Sequence, residues 1–166
     1  MTNADQIILD LVATQRQAST TEVTAILDRV AQASFATYPA RVPNAVRKLL
    51  VRYGIFVASR LPSLEWHLFK RIYDERQWPE ETTAAMYEGD LRKAVQHPEV
   101  AVWTYRYFGR PYAGFLAPSH VRSAPQPLPY LYVAYDPGYG TITTGYQVSG
   151  YGALFDSNCT NIVRHR

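Results

Sequence analysis

With 166 residues, 47% of them apolar, the chain has material for one core and too little for several large domains. A net charge of +3 and a pI near 9.0 are mild, so bulk charge alone does not mark a nucleic-acid coat protein or an acidic tail. One cysteine, Cys159, excludes an internal disulfide and any cysteine-based metal cluster. No apolar run approaches the roughly 18 residues of a membrane-spanning helix.

The predicted elements begin with helices. Ile7, Ile8, Leu11 and Val12 form a first apolar stripe. Ser19-Thr20-Thr21-Glu22 has the form of a capping box, and Val23, Ile26, Leu27 and Val30 follow at helical spacing. Pro39 and Pro43 break the pattern before a third helix opened by Asn44, with its stripe at Val46, Leu49, Leu50 and Tyr53. Pro62-Ser63 starts a fourth helix near 64–77, and a fifth runs from about Thr82 to Gln96, stopped by His97-Pro98.

Beyond this point the period changes to two. Val100–Phe108, Tyr112–Leu116, Tyr130–Tyr135 and Thr141–Val148 read as strands, with a further short one at Asn161–Val163. Gly109-Arg110-Pro111 and Asp136-Pro137-Gly138-Tyr139-Gly140 are turns, and a proline-rich loop covers 117–129. The expected fold is α+β, with N-terminal helices packed against a four- to five-stranded antiparallel β-meander. Two regions are expected: a helical region over 1–60, either appended or part of the core, and an α+β unit over 61–166.

Charge is unevenly spread. Residues 41–76 carry eight Lys or Arg against three acids, whereas residues 1–40 carry two basic and four acidic residues. Asp5 and Asp10 fall where the basic start and apolar centre of a signal peptide would lie, so a reducing, cytoplasmic setting is expected.

Two constellations carry candidate chemistry. On the fourth helix, 100° per residue sets Leu64, Trp66, Leu68, Phe69, Ile72 and Tyr73 on one arc and His67, Lys70, Arg71 and Asp74 on the other. An imidazole among cations suits acid–base chemistry on a phosphate. The plainer reading is the wet side of an amphipathic helix; on either reading His67 is expected to be exposed. On the strands, Arg106 follows Tyr105, Arg110 sits in the next turn, and Thr141, Thr143, Thr144 and Tyr146 crowd the fourth strand. Alternation puts Thr144 and Tyr146 on one face. Threonines are also ordinary strand formers. The chain has no Walker A loop, GxGxxG, GxSxG or HExxH motif.

The segments DLRKAVQHPEVAVWTYRYFGRPYAGFLAP and PYLYVAYDPGYGTITTGYQV, within residues 64–148, resemble the cytotoxic domain of colicin D and related contact-dependent inhibition toxins. These are ribonucleases with helices packed on a small antiparallel sheet. The resemblance implies cleavage of RNA, tRNA above all, by attack of its own 2′-hydroxyl, with no metal and no cofactor. It implies catalytic roles for His67, Lys70, Arg106, Thr144 and Tyr146, and RNA binding by Arg71, Arg110 and Thr143. Thr144-Gly145-Tyr146 stands where the family has Ser-Gly-Trp, while His67 precedes Lys70 and Arg71 where the family's lysines come before its histidine. Catalysis of this kind requires His67 and Thr144 to meet across a positively charged groove. An acidic cognate immunity protein is the implied partner, and the cytosol the implied place of action. The alternatives are a non-catalytic RNA- or protein-binding module and an ADP-ribosyltransferase-type toxin, the latter disfavoured by the absence of a Glu-x-Glu pair.

Overall fold

Residues 2–166 are described by a computed structural model. Helix α1 (Asn3–Thr14) opens with a capping box: the Thr2 hydroxyl accepts from Asp5 N, and the Asp5 carboxylate accepts from Thr2 N. Ser19 and Glu22 form the expected box at the start of α2 (Thr20–Ala31). Helix α5 (Ala84–Val95) is capped by the Thr83 hydroxyl. Each cap satisfies backbone N–H groups that have no partner inside the helix.

Strands β3 (Ala101–Tyr107), β4 (Arg110–Pro118), β5 (Tyr130–Asp136), β6 (Thr141–Val148) and β7 (Cys159–Arg164) form one antiparallel sheet in the order β6-β5-β4-β3-β7. The β3-to-β6 meander follows chain order, and β7 returns to pair beside β3. The fold class expected from the pattern is the one observed. No described helix is long and apolar enough to cross a membrane.

The main core lies between one sheet face and helices α1, α2 and α5. Ile8, Leu11, Val12, Ile26, Val30 and Leu91 join Val102, Phe115, Leu131, Val133 and Ile142 in one apolar cluster. Burying each such side chain contributes about 1.5–3 kcal/mol. The helices α1 and α2 are therefore part of this core, and the buried Tyr135 hydroxyl donates to Asp5 of α1. A smaller cluster, Trp103, Leu116, Tyr132, Ala134, Val148 and Leu154, occupies the opposite face.

What stands away from the core is a shorter piece. Strands β1 (Pro39–Arg41) and β2 (Arg60–Pro62) pair as a two-stranded ladder, with α3 (Asn44–Val51) between them. Asn44 begins α3 but makes no capping bond, contrary to its expected role, because Pro43 holds the cap position. The single helix expected near 64–77 is instead α4 (Ser63–Phe69) continuing into a π-helical turn over Lys70–Asp74.

Candidate active site

Strand β6 is an edge strand, and its outward backbone groups would form an open ladder without partners. The α4–π segment and the residues around it supply them. Gly145 O accepts from Arg71 Nε at 2.8 Å and from the Tyr87 hydroxyl at 2.6 Å. Gln77 closes the ladder at Gln147, accepting from Gln147 N at 2.8 Å and donating to Gln147 O at 3.0 Å. Gly145 lets α5 come close, since a Cβ there would collide with the Leu91 methyls. The π-turn, closed by Glu75 N donating to Lys70 O, widens the helix where Arg71 meets the strand.

This arrangement brings the two constellations together. The His67 Nδ1 lies 3.2 Å from Thr144 Oγ1. The same hydroxyl accepts from Arg71 at 2.9 Å. Arg71 also binds Glu75 at 2.7 Å, and its guanidinium lies 5.0 Å from the centre of the Tyr146 ring. Thr144 has one proton to give; donating it to Nδ1 leaves the imidazole proton on Nε2. Burial, with Arg71 and Lys70 nearby, pushes the His67 pKa down to about 3. The ring is therefore neutral near pH 7, and a bound phosphate anion would raise its basicity from this value.

His67 and Thr144 border a cavity of about 310 Å³ on the sheet face away from the helical core. Such a volume is at the lower end for small-molecule sites. Six tyrosines line it: Tyr38, Tyr105, Tyr107, Tyr112, Tyr132 and Tyr146. Thr143, Ala134, Leu154, Asp156 and Cys159 complete the wall. Tyr105 and Tyr112 stack with ring centres 5.8 Å apart, and the Tyr105 and Tyr132 hydroxyls share a buried 2.7 Å hydrogen bond. Gly114 makes room beneath Tyr132, whose hydroxyl lies 2.5 Å from where a Cβ would stand. Burial raises the pKa of Tyr105, Tyr132 and Tyr146, so all three stay protonated at neutral pH.

The strand carries both threonines to the cavity by a register break. Ala134 pairs with Thr144 and Tyr135 pairs with Ile142, which leaves Thr143 as an extra residue opposite neither. Ile142 can thus enter the helical core while Thr143 and Thr144 both reach the cavity.

The remaining expected residues are distributed differently. Arg71 is only 3% exposed, and its Nε, Nη1 and Nη2 each donate one bond, to Gly145 O, Glu75 and Thr144, so it holds Thr144 from within the fold. Lys70 stands outside the cavity wall, 3.7 Å from Glu75. Arg106 is a correction: it alternates with the cavity-lining Tyr105 and Tyr107, so it faces away, and its guanidinium donates to Gly109 O. Arg110 pairs with Asp136 at 2.6 Å and lies 5.2 Å from the Tyr139 ring centre. It borders a neighbouring cavity that shares Tyr38 and Tyr112 with the first. The expected exposure of His67 is also corrected, since Phe35 and Trp66 flank its ring. The expected positively charged groove is absent at the wall itself, which includes no Lys or Arg. His165 binds Thr104, and His120 binds Asp90, both away from the cavity.

Motif reading does not reveal the tyrosine wall, though alternation at Tyr105/Tyr107 is a usable signal. Compared with known proteins, the chain matches no family model, no curated protein and no solved structure.

Proposed function

We propose that the protein is a metal-independent endoribonuclease of the toxin type, acting on RNA and on tRNA in particular. The observation that carries this reading is the 3.2 Å approach of His67 Nδ1 to Thr144 Oγ1 at the edge of the tyrosine-lined cavity. Neutral His67 takes the proton of a ribose 2′-hydroxyl at Nδ1, whose lone pair is freed when Thr144 turns its own proton to a phosphate oxygen. The freed oxygen attacks the adjacent phosphorus, and the bond to the 5′-oxygen breaks. Tyr146, kept protonated by burial, is suited to donate a proton to that leaving oxygen. Thr144, held by Arg71, orients the imidazole or hydrogen-bonds a phosphate oxygen. The products are a 2′,3′-cyclic phosphate and a 5′-hydroxyl.

The test is to incubate purified tRNA with the protein in EDTA and to analyse fragment ends. Cyclic-phosphate ends that disappear with His67→Ala support the reading; intact RNA at every protein concentration overturns it. As a colicin D-type toxin, the protein would act in the cytosol and be neutralised by an acidic immunity protein.

A second reading is favoured by one observation: six tyrosines, and neither Lys nor Arg, line the cavity. That is the composition of a stacking site that holds a base without cutting its strand. Salt-sensitive RNA binding with no fragments would select it.

A further inference from the structure

Residues 39–62 leave the core after Tyr38 and return at Ser63, whose N–H donates to Tyr38 O at 3.0 Å. This excursion includes Arg41, Arg47, Lys48, Arg52 and Arg60 and not one Asp or Glu. Of the chain's 17 basic and 14 acidic side chains, twelve basic and fourteen acidic remain for everything else. The whole net positive charge of the protein therefore resides in this one projection, and the body carrying the cavity is slightly negative.

None of the five cations makes an ion pair among the described residues. Arg41 and Arg60 are moreover direct cross-strand partners in the β1–β2 ladder, and both are exposed. Like charges in that relation are destabilising unless an anion lies between them. On α3 and the loop after it, Lys48 and Arg52 are accessible beside Val51 and Phe56, the latter 81% exposed. The excursion starts at the cavity's edge, for Tyr38 lines both the tyrosine cavity and the one beside Arg110.

We infer that the 39–62 excursion is a docking arm for the phosphate backbone of structured RNA. A strand with one nucleotide in the tyrosine cavity continues past Tyr38 onto the Arg41–Arg60 pair and then onto α3. The exposed Phe56 ring offers a stacking surface farther out. The choice of RNA as the polyanion rests on the ribonuclease reading. The arm supplies the phosphate attraction that the cavity wall lacks, so recruitment and chemistry sit on separate pieces of the chain. Continuity with the cavity favours RNA over a lipid surface or an acidic protein.

The test compares the full chain with the variant R41Q/K48Q/R52Q/R60Q, whose altered side chains make no ion pair among the described residues. Binding of a labelled tRNA is measured by anisotropy across a salt series, alongside cleavage of tRNA and of a dinucleotide. The variant should bind tRNA on the order of tenfold more weakly or worse, with a salt slope lower by about 0.7–0.9 for each phosphate the arm no longer neutralises. Its KM for tRNA should rise equally, its dinucleotide cleavage should stay at the parent level, and its melting temperature should not fall. Equal tRNA affinity and slope in the two proteins overturn the inference. So does variant-sensitive binding to phosphatidylserine vesicles, or to an acidic protein, without any to RNA. Variant-sensitive RNA binding with no cleavage sinks the nuclease and keeps the arm. Cleavage of tRNA with an unchanged KM does the reverse.

Discussion

Along β5, Leu131, Val133 and Tyr135 turn into the core shared with α1, α2 and α5, while Tyr132 and Ala134 turn to the other face. One alternating strand thus builds two environments. The helix-covered side is mostly aliphatic and dry, and its main demand is shape. The other side keeps hydroxyls, an imidazole and a cavity, covered in part by Leu154 and Phe155. Close packing and the candidate site thus lie on opposite faces of one sheet, so substitutions on the two faces should fail in different ways.

The largest effect is expected at His67. Replacing it with Ala should lower RNA cleavage by about 100- to 10,000-fold, the usual contribution of a general base. Because the ring is packed against Phe35, some stability should be lost too, so His67→Gln is the companion variant, with both checked by urea unfolding. Cleavage near the parent rate would remove the site face from catalysis.

On the dry face, Phe115 is fully buried, and Phe115→Ala should cost about 3–5 kcal/mol in urea unfolding. Dinucleotide cleavage by the fraction that stays folded should be unchanged. A specific loss of activity would mean that the two faces are not separable.

Acid should act through the wet face. The folded pKa of His67 is about 3 against an ordinary 6.5. Between those values the unfolded chain binds a proton that the folded chain refuses, so stability falls as pH is lowered through this window. His165, whose pKa burial also lowers, adds in the same direction. The His67 share should be on the order of a few kcal/mol, and His67→Gln should flatten the pH–stability curve by that amount. For cleavage, kcat/KM should hold between pH 7 and pH 5 as far as His67 is concerned, where an unperturbed imidazole would already have lost activity.

The smallest expected effect is at the tyrosine pair. Tyr132→Phe strands the buried Tyr105 hydroxyl and should cost about 1–3 kcal/mol. The reciprocal Tyr105→Phe should cost a similar amount, and the double variant less than the sum. Full additivity in a double-mutant cycle would show that the 2.7 Å hydrogen bond contributes nothing.

Much of the architecture can be read locally. The Ser19–Glu22 box, the halt at His97-Pro98 and the four meander strands lie close to where propensity and period place them. These features depend on neighbours within a few residues. The site is legible only in its parts. His67 and Thr144 stand out on separate elements, but nothing within either segment indicates that they meet. The helical wheel sends Arg71 to the wet side because it assumes a regular α-helix, whereas the π-turn and the open edge of β6 draw it inward. Thr143 reaches the cavity through a register break that alternation cannot foresee.

By itself, then, the sequence determined the order of the α-helices and of the main-sheet strands, because caps, turns and hydrophobic period are short-range; the β1–β2 ladder and the π-turn came only with the fold. It also determined that positive charge gathers after residue 40. Only the tertiary structure divided that charge, tucking Arg71 against an edge strand and leaving Arg41, Lys48, Arg52 and Arg60 open to solvent. The physical reason is that burial and pairing depend on which surfaces the fold presses together, and those surfaces come from residues as far apart in the chain as His67 and Thr144.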